Sequence, residues 1–210
     1  MNKAKATISV DFSDLFQRIK HKNYKVTARE YDAVVQFLSD PHSMSTYEAH
    51  AAIYVLCLSS PPSPEHVMLV ERFLSDQAND YTRSAAITCL FTIWDLAEER
   101  HVSYVLNALE RVMDRERSDS SFNAISSALN MMHATGRLDL SLALSRVFDD
   151  LHREVLREDT FATNMFISAC LQLANAKARS MGQRPTYFHT LDEALEVYET
   201  KGGYLLQQIH

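Results

Sequence analysis

Apolar residues recur along this chain at three- and four-residue steps, and strict alternation of apolar and polar positions is scarce. That period belongs to helices with one buried face, not to strands. Between Pro64 and Pro185 no proline occurs, and Gly136 and Gly182 are the only glycines there. Proline breaks helices and glycine weakens them, so so long a span with so few of either predicts an all-helical body.

Capping chemistry sets the expected boundaries. Asp11 or Ser13 can cap a helix reaching about Lys22, and Thr27-x-x-Glu30 is a capping box that opens a helix to about Ser39. Asp40-Pro41 ends it. Ser45-x-x-Glu48 is a second box, starting a helix through Leu58; the Ser59 to Pro64 cluster stops that helix, and Pro64 suits the first turn of the next. Helix pairs are then expected at 64–75 with 80–97, 101–115 with 119–135, and 138–157 with 160–181. After a loop from Gly182 to His189, Thr190-x-x-Glu193 caps a helix to about Thr200, Gly202-Gly203 stops it, and Tyr204 to Ile209 forms a short tail. The first ten residues are expected to be a flexible N-terminus, and 11–210 a single domain.

The helices repeat. Tyr47-x-x-x-Ala51-Ala52-Ile53 returns as Tyr81-x-x-x-Ala85-Ala86-Ile87, and Phe37-Leu38-Ser39-Asp40 returns as Phe73-Leu74-Ser75-Asp76. Self-similarity at that period predicts a short α-solenoid of about four antiparallel helix pairs with additional terminal helices. In Leu74-x-Asp76, Thr82-Arg83, Ala86, Leu90 and Ile93 the second pair resembles a HEAT repeat, whose first helix closes on a leucine and an aspartate and whose second carries an arginine, an alanine and a leucine. The first pair keeps Leu38, Asp40, Ala52 and Leu56 but has Ala49 where Arg83 would align; Asp114 and Asp149 close later first helices. The likeness covers residues 27 to 181, implies a right-handed stack with the second helices lining its concave side, and speaks to architecture only.

Aligning the second helices gives a register. Ala86, Ile87, Leu90 and Phe91 match Ala124, Ile125, Ala128 and Leu129, then Phe166, Ile167, Cys170 and Leu171, as core positions. Ala85, one step toward the other face, is expected to be less buried than Ala86. The opposite face stacks Thr88, Ser126 and Ser168, then Thr92, Asn130 and Gln172, then Asp95, His133 and Asn175. This row is almost uncharged, although serine, threonine and asparagine are poorer helix formers than the usual surface Lys, Glu and Arg. It is expected either to form a partner-binding groove or to hydrogen-bond between helices inside the stack. Arg83 is a ladder residue or a charge in that groove, and Trp94 is expected in the core.

Charge changes the picture of what could bind. Residues 1 to 30 hold seven Lys/Arg against three acids, +4, so that the net charge of −6 leaves −10 on the rest. An acidic body repels phosphate backbones, which disfavours nucleic acid and favours a basic partner. The longest apolar run, Ala51 to Leu58, is far short of the ~20 residues a membrane span needs. No signal-peptide block precedes it, and Cys57, Cys89 and Cys170 read as buried hydrophobes, so a cytoplasmic location is expected.

Catalytic chemistry is not legible. No two of the nine histidines lie closer than eight residues, no cysteine pair has zinc-site spacing, and there is no G-x-S-x-G elbow or phosphate-cradling glycine loop. Glu98-Glu99 and Asp149-Asp150 are expected to be solvated helix ends. The leading expectation is a non-enzymatic protein-binding module with no cofactor or metal, one form of which is an immunity protein neutralising a basic toxin domain. The HEAT resemblance keeps two alternatives open: an enzyme similar to HEAT-like DNA glycosylases or bilin lyases, and an assembly scaffold or adaptor.

Overall fold

The computed structural model describes residues 10–75, 78–113, 119–180 and 182–207. Asp76 and Asp114, two of the aspartates that suggested a HEAT pattern, and the first nine residues lie outside these. Among the described residues every regular element is helical. The α-helices are α1 (Phe12–Lys22), α2 (Ala28–Ser39), α3 (Glu48–Ser59), α4 (Pro64–Glu71), α5 (Asp80–Thr88), α6 (Glu99–Met113), α7 (Asp119–Thr135), α8 (Leu138–Val155), α9 (Thr160–Ser180) and α10 (Leu191–Gln207). None is long and apolar enough to cross a membrane, among the described residues.

Three helix starts use the expected side chains, those at Asp11, Thr27 and Thr190. The Asp11 carboxylate accepts the Asp14 N–H at 3.0 Å. Thr27 and Glu30 exchange both capping-box bonds at α2, Thr190 and Glu193 do so at α10, and Ser63 caps α4 ahead of Pro64. The Asn79 side chain accepts the Thr82 N–H at 3.0 Å and opens α5.

Three boundaries differ from expectation. Ser45 does not open α3; it closes a 3-10 turn over Pro41–Ser45 that Asp40 caps by accepting the His42 N–H, and the helix starts only at Glu48, after a Tyr47 that makes no side-chain cap bond. The proline has its own turn to nucleate, which uses up the serine. The helix begun by α5 ends sooner than expected, because Cys89–Ile93 widens into a π-turn that closes when the Trp94 N–H donates to the Cys89 carbonyl at 2.9 Å. At the other end α10 runs through Gly202-Gly203 to Gln207. Glycine costs a helix only about 1 kcal/mol and keeps its N–H, so two in a row need not end one.

The chain divides into two compact units, Met1–Trp94 and Asp95–His210. In the first, α1, α3 and α5 pack side by side, with α2 and α4 forming a second layer against α3 and the α5 end. In the second, α6, α8 and α10 make one layer and α7 and α9 the other. Leu15, Val34, Leu38, Ile53, Leu56, Phe73, Ile87, Leu90 and Phe91 fill the first core; Leu109, Ile125, Leu129, Leu144, Phe148, Phe166 and Cys170 fill the second.

Several contacts in the first unit join residues 33 to 36 apart in sequence. Asn79 donates to the Thr46 carbonyl, the Cys89 thiol to the Ile53 carbonyl, the Trp94 indole to the Ser60 carbonyl at 3.2 Å, and Arg72 to the Leu38 and Ser39 carbonyls. Tyr31 and His66 are hydrogen-bonded at the same spacing.

At the α1–α2 junction a small polar cluster replaces apolar packing. Arg18 donates to Glu30 at 2.9 Å, Tyr24 donates to the same carboxylate, and the Arg18 guanidinium lies 4.2 Å from the Tyr24 ring centroid. Burial alone would raise the Glu30 carboxyl, but the Thr27 N–H and hydroxyl, Arg18 and Tyr24 outweigh it and hold it down at about 2.

Two predictions follow the packing. Ala85 and Ala86 are both 0 % exposed, contrary to the expected ranking, because α5 is enclosed from Thr82 through Ile87. Ala85→Asp and Ala86→Asp should therefore be similarly severe, each costing about 3 kcal/mol or more for an unpaired buried charge, as thermal melts will show. Glu30, depressed when folded, adds stability above its ordinary value of 4.5 that is lost as pH falls toward about 2. Glu30→Gln should cost about 1–2 kcal/mol at neutral pH, and the gap to the parent should close between about pH 4.5 and pH 2 in a series of melts.

Candidate functional site

In the second unit α7 and α9 lie side by side, and the Ser126 hydroxyl donates to the Gln172 side-chain oxygen at 3.5 Å, one turn on from Ser168, the residue its register had paired it with. Ser126, Asn130 and His133 on α7, and Ser168, Gln172 and Asn175 on α9, are all half-buried. Asn175 also has local work, accepting the Thr186 N–H at 2.8 Å and so fastening the loop that leads to α10. Ile167 and Leu171 were expected in the core, but the α9 core stripe is Ala162, Met165, Phe166, Ala169, Cys170, Leu173 and Ala174, while Ile167 and Leu171 are half-buried beside the polar row. Phe122 on α7 is half-buried too.

The face is therefore mixed apolar and polar, and it carries no formal charge: residues 120–135 and 160–176 contain no Lys, Arg, Asp or Glu in a chain that is 23 % charged. Full burial does not account for this, since half-buried positions recur along both helices. Charge depletion with accessible aromatic and aliphatic side chains is the composition of an interface core.

Along α5 and past its π-turn the row does not stay together. Thr88 is half-buried, donates to the Ser84 carbonyl at 3.0 Å and hydrogen-bonds Tyr54, whose phenol is pushed up by burial with Thr88 acting against that shift. Thr92 is exposed on the π-turn. Asp95 follows the helix end with φ +52°, exposed and off any helix face. A π-turn spends an extra residue per ring, so positions beyond it rotate away from the face that a 3.6-residue register assigns. Arg83 is 9 % exposed and donates to the Ala78 carbonyl at 3.1 Å, and Trp94, 8 % exposed, lies in the core as expected.

An aromatic chain was missed. Tyr81 and Tyr47 meet edge to face at 5.3 Å between centroids, Tyr47 stacks on His50 at 5.9 Å, His50 meets Tyr54 at 5.1 Å, and Tyr54 stacks on Phe16 at 5.1 Å. It crosses α5, α3 and α1. Tyr47 and Tyr81 are 62 % and 51 % exposed. The signal was present as the tyrosine that leads both copies of the repeated Tyr-x-x-x-Ala-Ala-Ile.

Other clusters serve the fold. Tyr31, Asp32, Gln36, Glu65 and His66 line an open cleft of about 570 Å³ between α2 and α4, with His66 Nδ1 3.3 Å from the Ser60 hydroxyl. Tyr198 donates to Asp149 and joins Phe148, His152 and Phe166 in fastening α10 to α8 and α9. Burial, with Asp149 adding to it, pushes the Tyr198 phenol up. The acidic pairs are tied rather than merely solvated: Glu99 to Arg137, Glu98 to Arg100 and Asp150 to Arg153. Cys57, Cys89 and Cys170 are free and buried, and burial pushes the Cys170 thiol up to about 12, far from a reactive thiolate. Among the described residues no three His, Cys, Asp or Glu side chains converge as a metal site needs. No protein-family model matches the chain, and no curated protein or solved structure shows significant similarity to it.

Proposed function

We propose that this chain is a non-enzymatic protein-binding module of HEAT-like solenoid type, and that the uncharged α7–α9 face is its contact surface. The observation that carries this reading is the absence of any charged residue from 120–135 and 160–176, together with the half-exposure of Ser126, Asn130, His133, Ser168, Gln172, Phe122, Ile167 and Leu171. A surface kept free of charge at the expense of helix propensity, and studded with accessible apolar side chains, is suited to desolvation against another protein. The layering of alternate helices within each unit supports the solenoid part of the reading.

The partner in this reading is basic. The chain beyond residue 30 carries −10, which steers a cationic protein toward it and disfavours nucleic acid. An immunity protein neutralising a basic toxin domain is one role with that charge complementarity, and an adaptor joining a basic subunit is the other.

A partner recovered by pull-down and mass spectrometry supplies the test. Asn130→Arg and Gln172→Arg should each weaken its binding by about tenfold or more, on the order of 1.4 kcal/mol, with melting temperature nearly unchanged. Arginine is a good helix former, so a half-exposed site accepts it, but it sets bulk and positive charge in a basic partner's path. Binding should also weaken as ionic strength rises. Variants that bind normally and melt much lower would assign the row to inter-helix packing.

A further inference from the structure

The aromatic chain of the first unit has a direction. Its inner rings, Tyr54 and Phe16, are half-buried, while Tyr47 and Tyr81 open to solvent at the other end. Ring faces offer negative quadrupole and tyrosine is enriched where proteins bind, so an exposed pair that could have been any polar residue is a platform for something flat, apolar or cationic.

Charge decides among these. Each exposed tyrosine is followed or preceded by an acid in the first turn of its helix, Glu48 after Tyr47 and Asp80 before Tyr81. Residues 40–95 hold seven acids and only two arginines. Arg72 donates to the Leu38 and Ser39 carbonyls, and Arg83 to that of Ala78. Stacked nucleic-acid bases would bring phosphates against this acidity. A cation gains from both the rings and the carboxylates. The same unit already holds a guanidinium over a tyrosine, Arg18 on Tyr24 at 4.2 Å, with a carboxylate, Glu30, closing the arrangement. At the α1 end, by contrast, Lys20 and Lys22 stand exposed, which confines a cation to the Tyr47–Tyr81 end.

We propose that Tyr47 and Tyr81, flanked by Glu48 and Asp80, form a docking site for a lysine- or arginine-rich peptide segment, a cationic side chain lying on the exposed rings. This site is in the other unit from the α7–α9 face and shares with that reading only the sign of the partner's charge.

The test uses the full chain and a labelled oligo-arginine peptide, with oligo-glutamate and oligo-thymidylate as comparisons, read by fluorescence anisotropy. Oligo-arginine should bind, and Tyr47→Leu and Tyr81→Leu should each weaken it about threefold to fivefold, and more than tenfold together. Tyr47→Phe keeps the ring and should bind like the parent, while Glu48→Gln should weaken binding by a few fold. Circular dichroism melts should be unchanged, since both tyrosines are largely exposed. The site is overturned if the leucine variants bind the peptide as the parent does, if oligo-arginine fails to bind, or if oligo-thymidylate takes its place. Asn130→Arg should leave peptide binding untouched, so failure here and failure of the α7–α9 reading are separate results.

Discussion

The first unit depends on one constraint: α3 must bury its apolar faces against α1, α2 and α5 together, which makes it the helix the others are packed on. Hydrogen bonds between the α3 region and the α5 region recur at sequence separations of 33 to 36. Asn79 reaches Thr46, Cys89 reaches Ile53 and Trp94 reaches Ser60, so the α5 region is tied to residues before, within and after α3. Apolar contact supplies most of the stabilisation, and these bonds fix the phase in which it is made. Enclosure of α5 by its neighbours follows, and so does the burial of Thr82, Arg83 and Ser84 alongside Ala85, Ala86 and Ile87.

Much of this was legible. Caps at Asp11, Thr27 and Thr190 located helix starts because a capping side chain answers a local backbone need that tertiary structure rarely overrides, and Pro64 marked the first turn of α4. Less was legible where two local rules competed. Ser45 had the right neighbour in Glu48, but Pro41 had already committed the intervening residues to a turn. Gly202-Gly203 looked like a stop, yet a pair of glycines only weakens a helix. The candidate face was legible in α7, whose Ala124, Ile125, Ala128 and Leu129 are all buried as the register requires, and less so in α9, where Ile167 and Leu171 turn out beside Ser168 and Gln172. Periodicity places a stripe to within one residue, and one residue is 100° of helix. The π-turn at Cys89–Ile93 left no mark in periodicity at all, and it carried Asp95 out of the row.

Electrostatics separates two kinds of polar residue in this chain. Glu30, Arg137 and Asp139 are charged groups with partners, and their shifts record those partners: Asp139 and then Glu99 raise Arg137, while Arg137 above all lowers Asp139. They stabilise junctions between helices. The α7–α9 residues are neutral, hold little of the fold in charged pairs, and would lose little on being desolvated, since an uncharged hydroxyl or amide costs far less to strip of water than a carboxylate or ammonium.

The anchoring of Trp94 has a practical consequence. It is the chain's single tryptophan, it closes the first unit, and its indole is buried with its N–H on the Ser60 carbonyl. Indole emission from this protein is therefore a reporter confined to one place, the junction between the loop that ends α3 and the end of the π-turn. A red shift on denaturation reads the opening of that junction alone, while the aromatic rings of the second unit contribute only tyrosine and phenylalanine light. Excitation at the tryptophan edge thus resolves the first unit optically, with no label introduced.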